Sequence, residues 1–459
     1  MIDFGTMTTL VSFLVGLLIG LPIGWVFIGA TILGLTVTGA SAGFVANAFF
    51  HSLDSATIMA IAFFVFTGAL INEAGLADRI VNFSYALVGR LKGGLTAVGI
   101  VASVFMGALT GSSVPCIAAL IPLLVPKLEK FGYDRVYTTA VLCSSSYLGY
   151  LIPPSVPAMI YCLLAGQSVA ALFLATVFPG LLLAIGYAIL NYFVVDKYTV
   201  DSDETPELPV TFSGSVKEIA RTGWLAIPAL GCPLLILVGI YGGIFTPNEA
   251  GGVAAIYCLL VGWLAYRELT LERLRAALSS TIGTFGMTTL LLAGGTILTR
   301  YLTRQGVAQE VAMTMMSLFE GKAMILLMIN VFLLFLGMFL DGIPILVLVV
   351  PLVLPLMQEL GVNLVHLGAI MTVNVGIGVM TPPFAMSLPP RERSGCEADP
   401  CDDALPALRF HPRPSPDDLH SISLLLASPG PSWAFRRRNV VSGFLPRLLG
   451  TCYGRFFDV

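Results

Sequence analysis

The sequence predicts an all-α polytopic membrane protein, an inverted repeat with two re-entrant helical hairpins and two discontinuous helices. Three observations lead to this prediction. First, 56% of the 459 residues are hydrophobic and only 11% are charged, whereas soluble domains carry about 25% charged residues. Second, apolar runs of helical length are interrupted by clusters of Gly, Pro and Ser. Third, the interruptions recur later in the chain at a fixed spacing. The runs exceed the ~10-residue alternating segments of an outer-membrane barrel, which excludes that class.

The order of apolar, polar and interrupted stretches divides the chain into five predicted parts. We expect N-terminal scaffold helices at 1–93, a first repeat of hairpin plus broken helix at 94–168, scaffold helices at 169–322 with an acidic linker at 196–218, a second repeat at 323–386, and an aberrant tail at 387–459. The formal net charge is −3, and the sequence has no basic patch of the kind that binds nucleic acid. The bilayer is the environment that we expect for this chain.

The first hairpin is predicted from a run without charged residues between Lys92 and Lys127. Its centre, Gly111–Pro115, breaks the helix because glycine is conformationally permissive and proline lacks a backbone donor. Unwound backbone at membrane depth is tolerated only where it is buried in protein or lines a water-filled cavity. Arg90 and Lys92 precede the run, and Lys127, Lys130 and Arg135 follow it. Since positive residues mark the cytoplasmic face, both ends of the hairpin are expected on the same face.

The first broken helix is predicted within Val136–Leu164, whose centre, Cys143–Ser155, is rich in hydroxyls and ends in two prolines. Pro153 restricts the preceding residue away from helical backbone, and neither Pro153 nor Pro154 can donate a hydrogen bond. The carbonyl groups released by such a break need partners. Serine hydroxyls, water or a cation can supply them.

A second copy of this pattern follows at a constant spacing, the one that separates Pro153 from Pro382. Seven Gly or Pro pairs coincide in this register: Pro115 with Pro344, Pro122 with Pro351, Pro126 with Pro355, Gly132 with Gly361, Gly149 with Gly378, Pro153 with Pro382 and Pro154 with Pro383. The second tip is therefore predicted at Gly337–Pro344 and the second broken helix at Asn374–Pro383. The basic residues after the first hairpin have no basic counterparts after the second, which indicates opposite orientations in the membrane.

These interruptions are expected to meet at the membrane midplane and to bind a cation there. Unwound carbonyls attract cations, and helix N-termini attract anions. Asp341 stands in an apolar run, where a carboxylate costs roughly 2.5–3.5 kcal/mol to insert and is therefore a functional candidate. The alternative is that Asp341 caps the helix that follows it. The other oxygen donors offered at these places are Ser112, Ser113, Ser145, Ser146 and Thr381, each of which could instead bond to a carbonyl of its own helix.

Motifs for ATP use and for enzymatic chemistry are missing from the sequence. Lys322 follows a single glycine, Gly321, instead of the spaced glycines of a phosphate-binding loop, so ATP is not expected as the direct energy source. No nucleophile–base pattern appears, and we predict that the chain is not an enzyme. Asn330 and Asn374 are interpreted as polar contacts between packed helices.

At these residues the sequence resembles the large membrane subunit of the tripartite ATP-independent periplasmic (TRAP) transporters. The segments that carry the resemblance are Gly107-Ala-Leu-Thr-Gly-Ser-Ser113, Phe131-Gly-Tyr-Asp134, Leu148-Gly-Tyr-Leu-Ile-Pro-Pro-Ser155, Phe178-Pro-Gly180, Gly337-Met-Phe-Leu-Asp341 and Thr381-Pro-Pro383. The resemblance covers about residues 5–386. It implies an elevator-type, sodium-driven importer of small organic acids, such as C4-dicarboxylates, 2-oxoacids or sialic acids, in the bacterial inner membrane. It also implies two partners, a smaller membrane subunit, expected as a separate polypeptide, and a periplasmic substrate-binding protein.

By the same resemblance, the two tips and the two broken helices would bind sodium and substrate. The residues expected at sodium are Gly111, Ser112, Ser113, Ser145, Ser146, Gly149, Gly337, Asp341, Gly342, Gly376, Gly378 and Thr381. The residues expected at the substrate are Ser112, Pro153, Pro154, Ser155, Asp341, Pro382 and Pro383.

The chain departs from the family pattern after about Met386, where a final membrane helix is expected. Ser387–Val459 instead contains ten prolines, nine arginines, three cysteines and no lysine, a composition typical of out-of-frame translation, with a disordered tail as the alternative. We hypothesise that loss of the last helix impairs transport. Confirmation of the reading frame together with normal transport would contradict this hypothesis.

Two other functions stay open at this point. A stand-alone sodium/dicarboxylate symporter of related architecture would transport without a binding protein. A channel or a non-transporting scaffold would show sodium-independent, non-saturable flux or none at all.

Overall fold

The computed structural model describes residues 3–39, 43–90, 93–199, 212–319 and 321–381, without the side chains of 212–216. Within these ranges the chain is helical apart from turns and one isolated β-bridge between Tyr133 and Thr199. The first nine helices are α1 Phe4–Leu18, α2 Ile23–Thr38, α3 Gly43–Leu53, α4 Ala56–Glu73, α5 Leu76–Val88, α6 Gly94–Thr110, α7 Ser113–Lys130, α8 Arg135–Ser146 and α9 Leu148–Leu151. The other nine are α10 Val156–Ala165, α11 Val169–Val194, α12 Phe212–Tyr241, α13 Pro247–Leu260, α14 Leu271–Arg304, α15 Val307–Leu318, α16 Lys322–Gly337, α17 Gly342–Glu359 and α18 Leu364–Val379.

Seven of the described helical segments are long and apolar enough to cross a membrane: Ala56–Glu73, Arg135–Ala165, Val169–Lys197, Lys217–Tyr241, Pro247–Ala265, Leu271–Arg304 and Gly342–Glu359. Large apolar side chains such as Leu18, Phe178 and Trp224 are exposed on the outside of the fold. A bilayer solvates such side chains, whereas water does not. The predicted all-α polytopic membrane protein is therefore confirmed. The opposite orientation of the two repeats stays a prediction.

The helix α14 connects the N-terminal helices to the second half of the chain. It packs against α2, α3 and α4 and also against α17. The Thr299 hydroxyl donates to the carbonyl oxygens of Gly295 in its own helix and of Val347 in α17. On the other side, α10 packs against α17 and α18, so the first broken helix lies against the second hairpin.

A buried asparagine in α11 fixes the base of the first hairpin. Asn191 accepts hydrogen bonds from the hydroxyls of Thr96 in α6 (2.6 Å) and Tyr137 in α8 (2.9 Å). Its amide nitrogen donates to the Gly93 carbonyl at 2.9 Å. Asn191 thus connects α11 to Gly93 and Thr96 at the start of α6 and to Tyr137 in α8. Asn191 is buried, and both its amide nitrogen and its amide oxygen form hydrogen bonds. Buried polar groups stabilise a fold when they are paired in this way.

Asn191→Leu is expected to lower the free energy of unfolding by about 3 kcal/mol, because it leaves the Tyr137 hydroxyl and the Gly93 carbonyl buried with fewer partners. Thermal unfolding of the purified protein in detergent would measure the change. Asn82→Leu is the matched control, since Asn82 is exposed on α5, and it should leave the unfolding temperature nearly unchanged. Equal unfolding temperatures for the two variants would contradict a stabilising role for Asn191.

The linker predicted at 196–218 is shorter in the structure than in the sequence analysis. Residues 195–197 form a 3₁₀ turn after α11, and α12 begins at Phe212. Residues 200–211, which contain most of the acidic residues of the linker, lie outside the described residues, as does the tail predicted at 387–459. The C-terminal third of the predicted linker is therefore helix.

Candidate functional site

The first tip is a sharp break between α6 and α7, narrower than the predicted Gly111–Pro115. Gly111 adopts a left-handed backbone with φ of +61°, and its N–H donates to the Gly107 carbonyl at 2.9 Å. Ser112 is extended, and α7 begins at Ser113, so that Val114 and Pro115 belong to its first turn. The predicted break is confirmed, and two residues suffice for it because Gly111 takes a conformation that other residues avoid.

The first broken helix is interrupted at Ile152–Ser155, just after the short helix α9. Ile152 is extended, and the peptide bond between Pro153 and Pro154 is cis. The Ser155 hydroxyl donates to the Tyr150 carbonyl at 2.5 Å and accepts the Ala158 N–H at 3.3 Å. Ser155 therefore closes one helix and caps the next, α10. Both of these hydrogen bonds are local.

The first tip packs directly on this break. The Gly111 carbonyl accepts the Val156 N–H at 3.0 Å, and a Cβ atom added to Gly111 would collide with the Pro154 carbonyl oxygen. A Cβ atom on Gly107 would lie 2.7 Å from the Cα atom of Gly149. These backbone contacts require glycine, and they confirm that the predicted hairpin tip and the predicted broken helix meet.

The three consecutive serines predicted at the centre of the break are instead helical, since α8 continues through Ser146. The Ser145 hydroxyl lies 3.1 Å from the Ser103 hydroxyl in α6 and donates to the Leu142 carbonyl at 3.2 Å. The Ser146 hydroxyl donates to the Cys143 carbonyl at 2.6 Å. Their hydrogens are used within the protein, which is the alternative considered for these residues. Whether their oxygens also bind sodium stays a prediction.

The second tip lies between Gly337, the last residue of α16, and Gly342, the first residue of α17. Asp341 is the N-cap of α17, and its Oδ1 accepts the Gly342 N–H at 2.7 Å. The capping role considered for Asp341 is therefore present. It uses one carboxylate oxygen, so it is compatible with a second role for the other.

The helix α18 packs against the second tip as the first broken helix packs against the first. A Cβ atom on Gly378 would lie 2.8 Å from the Cα atom of Gly337. The Asn374 amide donates to the carbonyl of Asn330 in α16 at 3.1 Å and also to its side-chain oxygen, which confirms these residues as a polar contact between helices. Gly376 lies against the ring of Tyr147.

The helix α18 ends at Val379, where the sequence predicts the second break. The Thr381 hydroxyl donates to the Ile377 carbonyl at 2.9 Å. Pro382 and Pro383, predicted as substrate residues, lie outside the described residues. The break therefore begins later than the predicted Asn374–Pro383, because Asn374–Val379, including Gly376 and Gly378, are still helical. The resumption of the helix stays a prediction.

Tyr150 brings the two tips together, and the sequence analysis missed it. Its ring lies over Gly342 at the second tip, 3.4 Å from the position of an added Cβ atom. Its carbonyl accepts the Ser155 hydroxyl of the first break, and the first tip packs on the same break through the Gly111 carbonyl and the Val156 N–H. A tyrosine among apolar residues resembles an ordinary core residue, and its neighbours at the second tip belong to the other half of the chain, so no local signal could have found it.

The two tips carry oxygen donors, among them the Asp341 carboxylate that caps α17 and the buried Ser113 hydroxyl. Ser113 is 1% exposed, and its Oγ makes no standard hydrogen bond within the described residues. Hydroxyl, carboxylate and carbonyl oxygens are the donors that hard cations prefer. Among the described residues, no three His, Cys, Asp or Glu side chains cluster as a transition-metal site would require. The helices α7, α10 and α17 all begin here, and helix N-termini favour negative charge.

Known proteins resemble this chain in sequence and in the arrangement of helices. A family model described as "Tripartite ATP-independent periplasmic transporter, DctM component" matches residues 10–389. The sialic acid TRAP transporter large permease protein SiaM of Vibrio cholerae is 33% identical over 370 residues, which cover 80% of this chain and 85% of SiaM. The C4-dicarboxylate TRAP transporter large permease protein DctM of Pseudomonas aeruginosa is 32% identical over 339 residues, covering 74% of this chain and 78% of that protein.

Among solved structures, the YdaH transporter of Alcanivorax borkumensis is similar to this fold with a TM-score of 0.53 at 16% sequence identity. The match covers 81% of this chain and 84% of the YdaH chain. At this identity the likeness concerns the arrangement of helices alone.

Proposed function

Because this chain belongs to the DctM component family of the tripartite ATP-independent periplasmic transporters, we propose that it is the large permease subunit of a sodium-coupled, binding-protein-dependent importer of small organic acids. It works in the bacterial inner membrane by an elevator movement of its two inverted repeats. Its partners are a smaller membrane subunit and a periplasmic substrate-binding protein. The proposal rests chiefly on one observation, the packing of Tyr150, which belongs to the first broken helix, on Gly342 at the second hairpin tip.

Sodium is the coupling ion that suits the oxygen donors offered by the two tips. The Asp341 carboxylate brings one negative charge, and the Ser113 hydroxyl and the Ser112 carbonyl bring neutral oxygens. A single carboxylate with neutral oxygens balances a monovalent ion better than a divalent one, which takes six or more oxygen ligands and commonly several carboxylates. A cation bound between the tips also lowers the cost of placing a carboxylate in the membrane interior.

An organic acid is the substrate class that the helix termini favour. The N-termini of α7, α10 and α17 lie at the tips, and each carries a partial positive charge. A bound sodium ion adds to this potential, so that the ion and a carboxylate substrate stabilise one another. The relatives named for sialic acid and for C4-dicarboxylates are consistent with an anionic substrate.

The decisive experiment is uptake into proteoliposomes that contain this chain and the smaller membrane subunit. Radiolabelled succinate, a 2-oxoacid and sialic acid would each be offered with the binding protein encoded beside this gene, with and without an inward sodium gradient. We expect saturable uptake of one of these acids only when both the gradient and the binding protein are present.

Each other result points to a different function. Sodium-driven uptake without a binding protein would indicate a stand-alone sodium/dicarboxylate symporter. Sodium-independent, non-saturable flux would indicate a channel. Both results would contradict the proposal, and liposomes that lack the chain are the control for passive leak.

A further inference from the structure

Three buried tyrosine rings of the first broken helix lie in the gaps that glycines leave in the second repeat. The pairs are Tyr147 with Gly376, Tyr150 with Gly342 and Tyr161 with Gly368. A Cβ atom added to Gly342 would lie 3.4 Å from its ring, which is an ordinary contact. One added to Gly368 or Gly376 would lie 2.5 or 2.6 Å from the ring, so alanine there would force the two repeats to shift.

Tyr161 adds a hydrogen bond to this packing. Its hydroxyl donates to the carbonyl of Leu364, the first residue of α18, at 2.6 Å. Gly368 lies about one turn further along the same helix, so the ring covers the first turn of α18 and the hydroxyl reaches its start. The buried side chain of Leu172 in α11 borders the same gap, 2.9 Å from the position of a Cβ atom on Gly368. The start of α18 is therefore held by a side chain from the other half of the chain.

Continuous helices join the two sides of this contact to the two tips. In α18, which has no break before its end, Gly378 lies about 15 Å beyond Gly368 at 1.5 Å per residue. Gly378 packs on Gly337 at the second tip. On the other side, α10 begins at Val156, whose N–H donates to the Gly111 carbonyl at the first tip at 3.0 Å. A shift between α10 and α18 would therefore reach both tips.

We propose that Tyr161 is a positioning residue that sets the place of the second repeat relative to the first. It does so by filling the gap at Gly368 and by its hydrogen bond to the start of α18. In its consequence for transport this inference rests on the proposed function, because the spacing of the repeats determines how the oxygen donors of the two tips are arranged. The structural part, that loss of the Tyr161 hydroxyl loosens α18 as far as the second tip, does not depend on transport.

Hydrogen–deuterium exchange in sodium-free buffer tests the structural part. Tyr161→Phe removes the hydroxyl and keeps the ring in the gap. We expect the amides of 364–369 and of 337–342 both to exchange roughly fivefold faster, as for loss of one buried hydrogen bond. The matched control is Tyr137→Phe, which removes a buried hydroxyl that donates to Asn191 at 2.9 Å, within the first half of the chain. It should leave both segments unchanged.

Three results of this measurement would overturn the proposal. Unchanged exchange in both segments would mean that the hydroxyl holds nothing in place. Faster exchange in 364–369 alone would mean that it stabilises only its own end of α18. Equal effects of Tyr161→Phe and Tyr137→Phe would mean that loss of any buried hydroxyl loosens the protein.

The fit between ring and glycine is tested by a second pair of substitutions. Gly368→Ala should speed exchange in both segments more than Tyr161→Phe does, because the added methyl group collides with the ring. The double variant Tyr161→Leu with Gly368→Ala should exchange no faster than Tyr161→Leu alone, since the smaller leucine leaves room for the methyl group. Additive effects of the two substitutions would contradict the proposed fit.

Sodium titration of uptake tests the functional part, with succinate, the 2-oxoacid or sialic acid, whichever the wild-type protein transports. In Tyr161→Phe the half-saturating sodium concentration should rise roughly fivefold, and the maximal rate per reconstituted protein should stay unchanged. A protein that is merely less stable would lose maximal rate instead, and that result would overturn the positioning role in transport. Tyr137→Phe should keep the wild-type sodium titration.

The two proposals fail in different ways. If the wild-type protein takes up no substrate in response to sodium, the proposed function is wrong, and the exchange measurement still decides whether Tyr161 positions the second repeat. If the wild-type protein is sodium-driven and Tyr161→Phe has the wild-type sodium titration, the proposed function stands and the functional role of Tyr161 is wrong.

Discussion

Gly107→Ala and Gly378→Ala are each expected to abolish most uptake and to lower the free energy of unfolding by about 2–3 kcal/mol. The added methyl group would lie 2.7 Å from the Cα atom of Gly149 in the first case and 2.8 Å from that of Gly337 in the second. In both cases the obstacle is backbone, which cannot rotate away as a side chain can. The hairpin must therefore separate from the helix against which its tip is placed.

Gly186→Ala is the matched control for these two variants. Gly186 lies inside α11, where an added Cβ atom would meet no other atom within 4 Å. Alanine should be neutral or slightly stabilising there, because it is the better helix former. Unfolding can be followed with a thiol-reactive dye, since the five cysteines described as free, Cys116, Cys143, Cys162, Cys232 and Cys258, are all buried in the folded state. Wild-type uptake and unfolding temperatures for both tip variants would show that the close contact is unimportant.

The glycine contacts also show how far the repeat could be predicted from the sequence. The constant spacing of the repeat pairs Gly149 with Gly378 and places the start of α7 opposite the start of α17. Gly107 and Gly337, however, are one residue further apart than this constant spacing. A comparison of the two halves at one fixed spacing therefore did not pair them. The two tips differ in length, and a local insertion of this kind is invisible to a comparison in a single register.

Glycine and proline predicted the breaks well because they limit the backbone directly. Serine predicted the first break poorly for a physical reason. A serine hydroxyl can bond to a carbonyl one turn earlier, as those of Ser145 and Ser146 do, and it then continues a helix as readily as it interrupts one.

The beginning of α12 was missed because Phe212–Thr222 is polar and gives no membrane signal. Tyr150 was missed because its role depends on contacts between the two halves.

Asp341→Asn and Asp341→Ala are both expected to raise the half-saturating sodium concentration for uptake by tenfold or more, since hydrogen bonds and contacts to a charged group contribute about 1.5–3 kcal/mol. Ser113→Ala should act in the same direction with a smaller effect, because it removes a neutral oxygen. The reason is the same in each case, namely loss of an oxygen donor at a hairpin tip.

The comparison of Asn with Ala at position 341 separates the two roles of the carboxylate. Asparagine caps a helix about as well as aspartate does, whereas alanine loses roughly 1 kcal/mol of capping energy. If Asp341 only caps α17, Asp341→Asn will have the wild-type sodium titration, and Asp341→Ala will be less stable but otherwise normal. If the charge binds the coupling ion, both variants will lose sodium affinity, and only Asp341→Ala will also lose stability.

Asn363→Ala is the control for the loss of a helix N-cap whose side chain carries no charge. Asn363 is the N-cap of α18, and its Oδ1 accepts the Val365 N–H at 2.9 Å. Its loss should destabilise the protein as much as the loss of the Asp341 cap while leaving the sodium titration unchanged. A shift in sodium dependence for Asn363→Ala would mean that any weakened helix start impairs coupling, and the assignment of Asp341 to the ion would then lose its support. If the sodium dependence of uptake changes only in the variants of Asp341, the result would support binding of the coupling ion by this carboxylate, the one described at the tips.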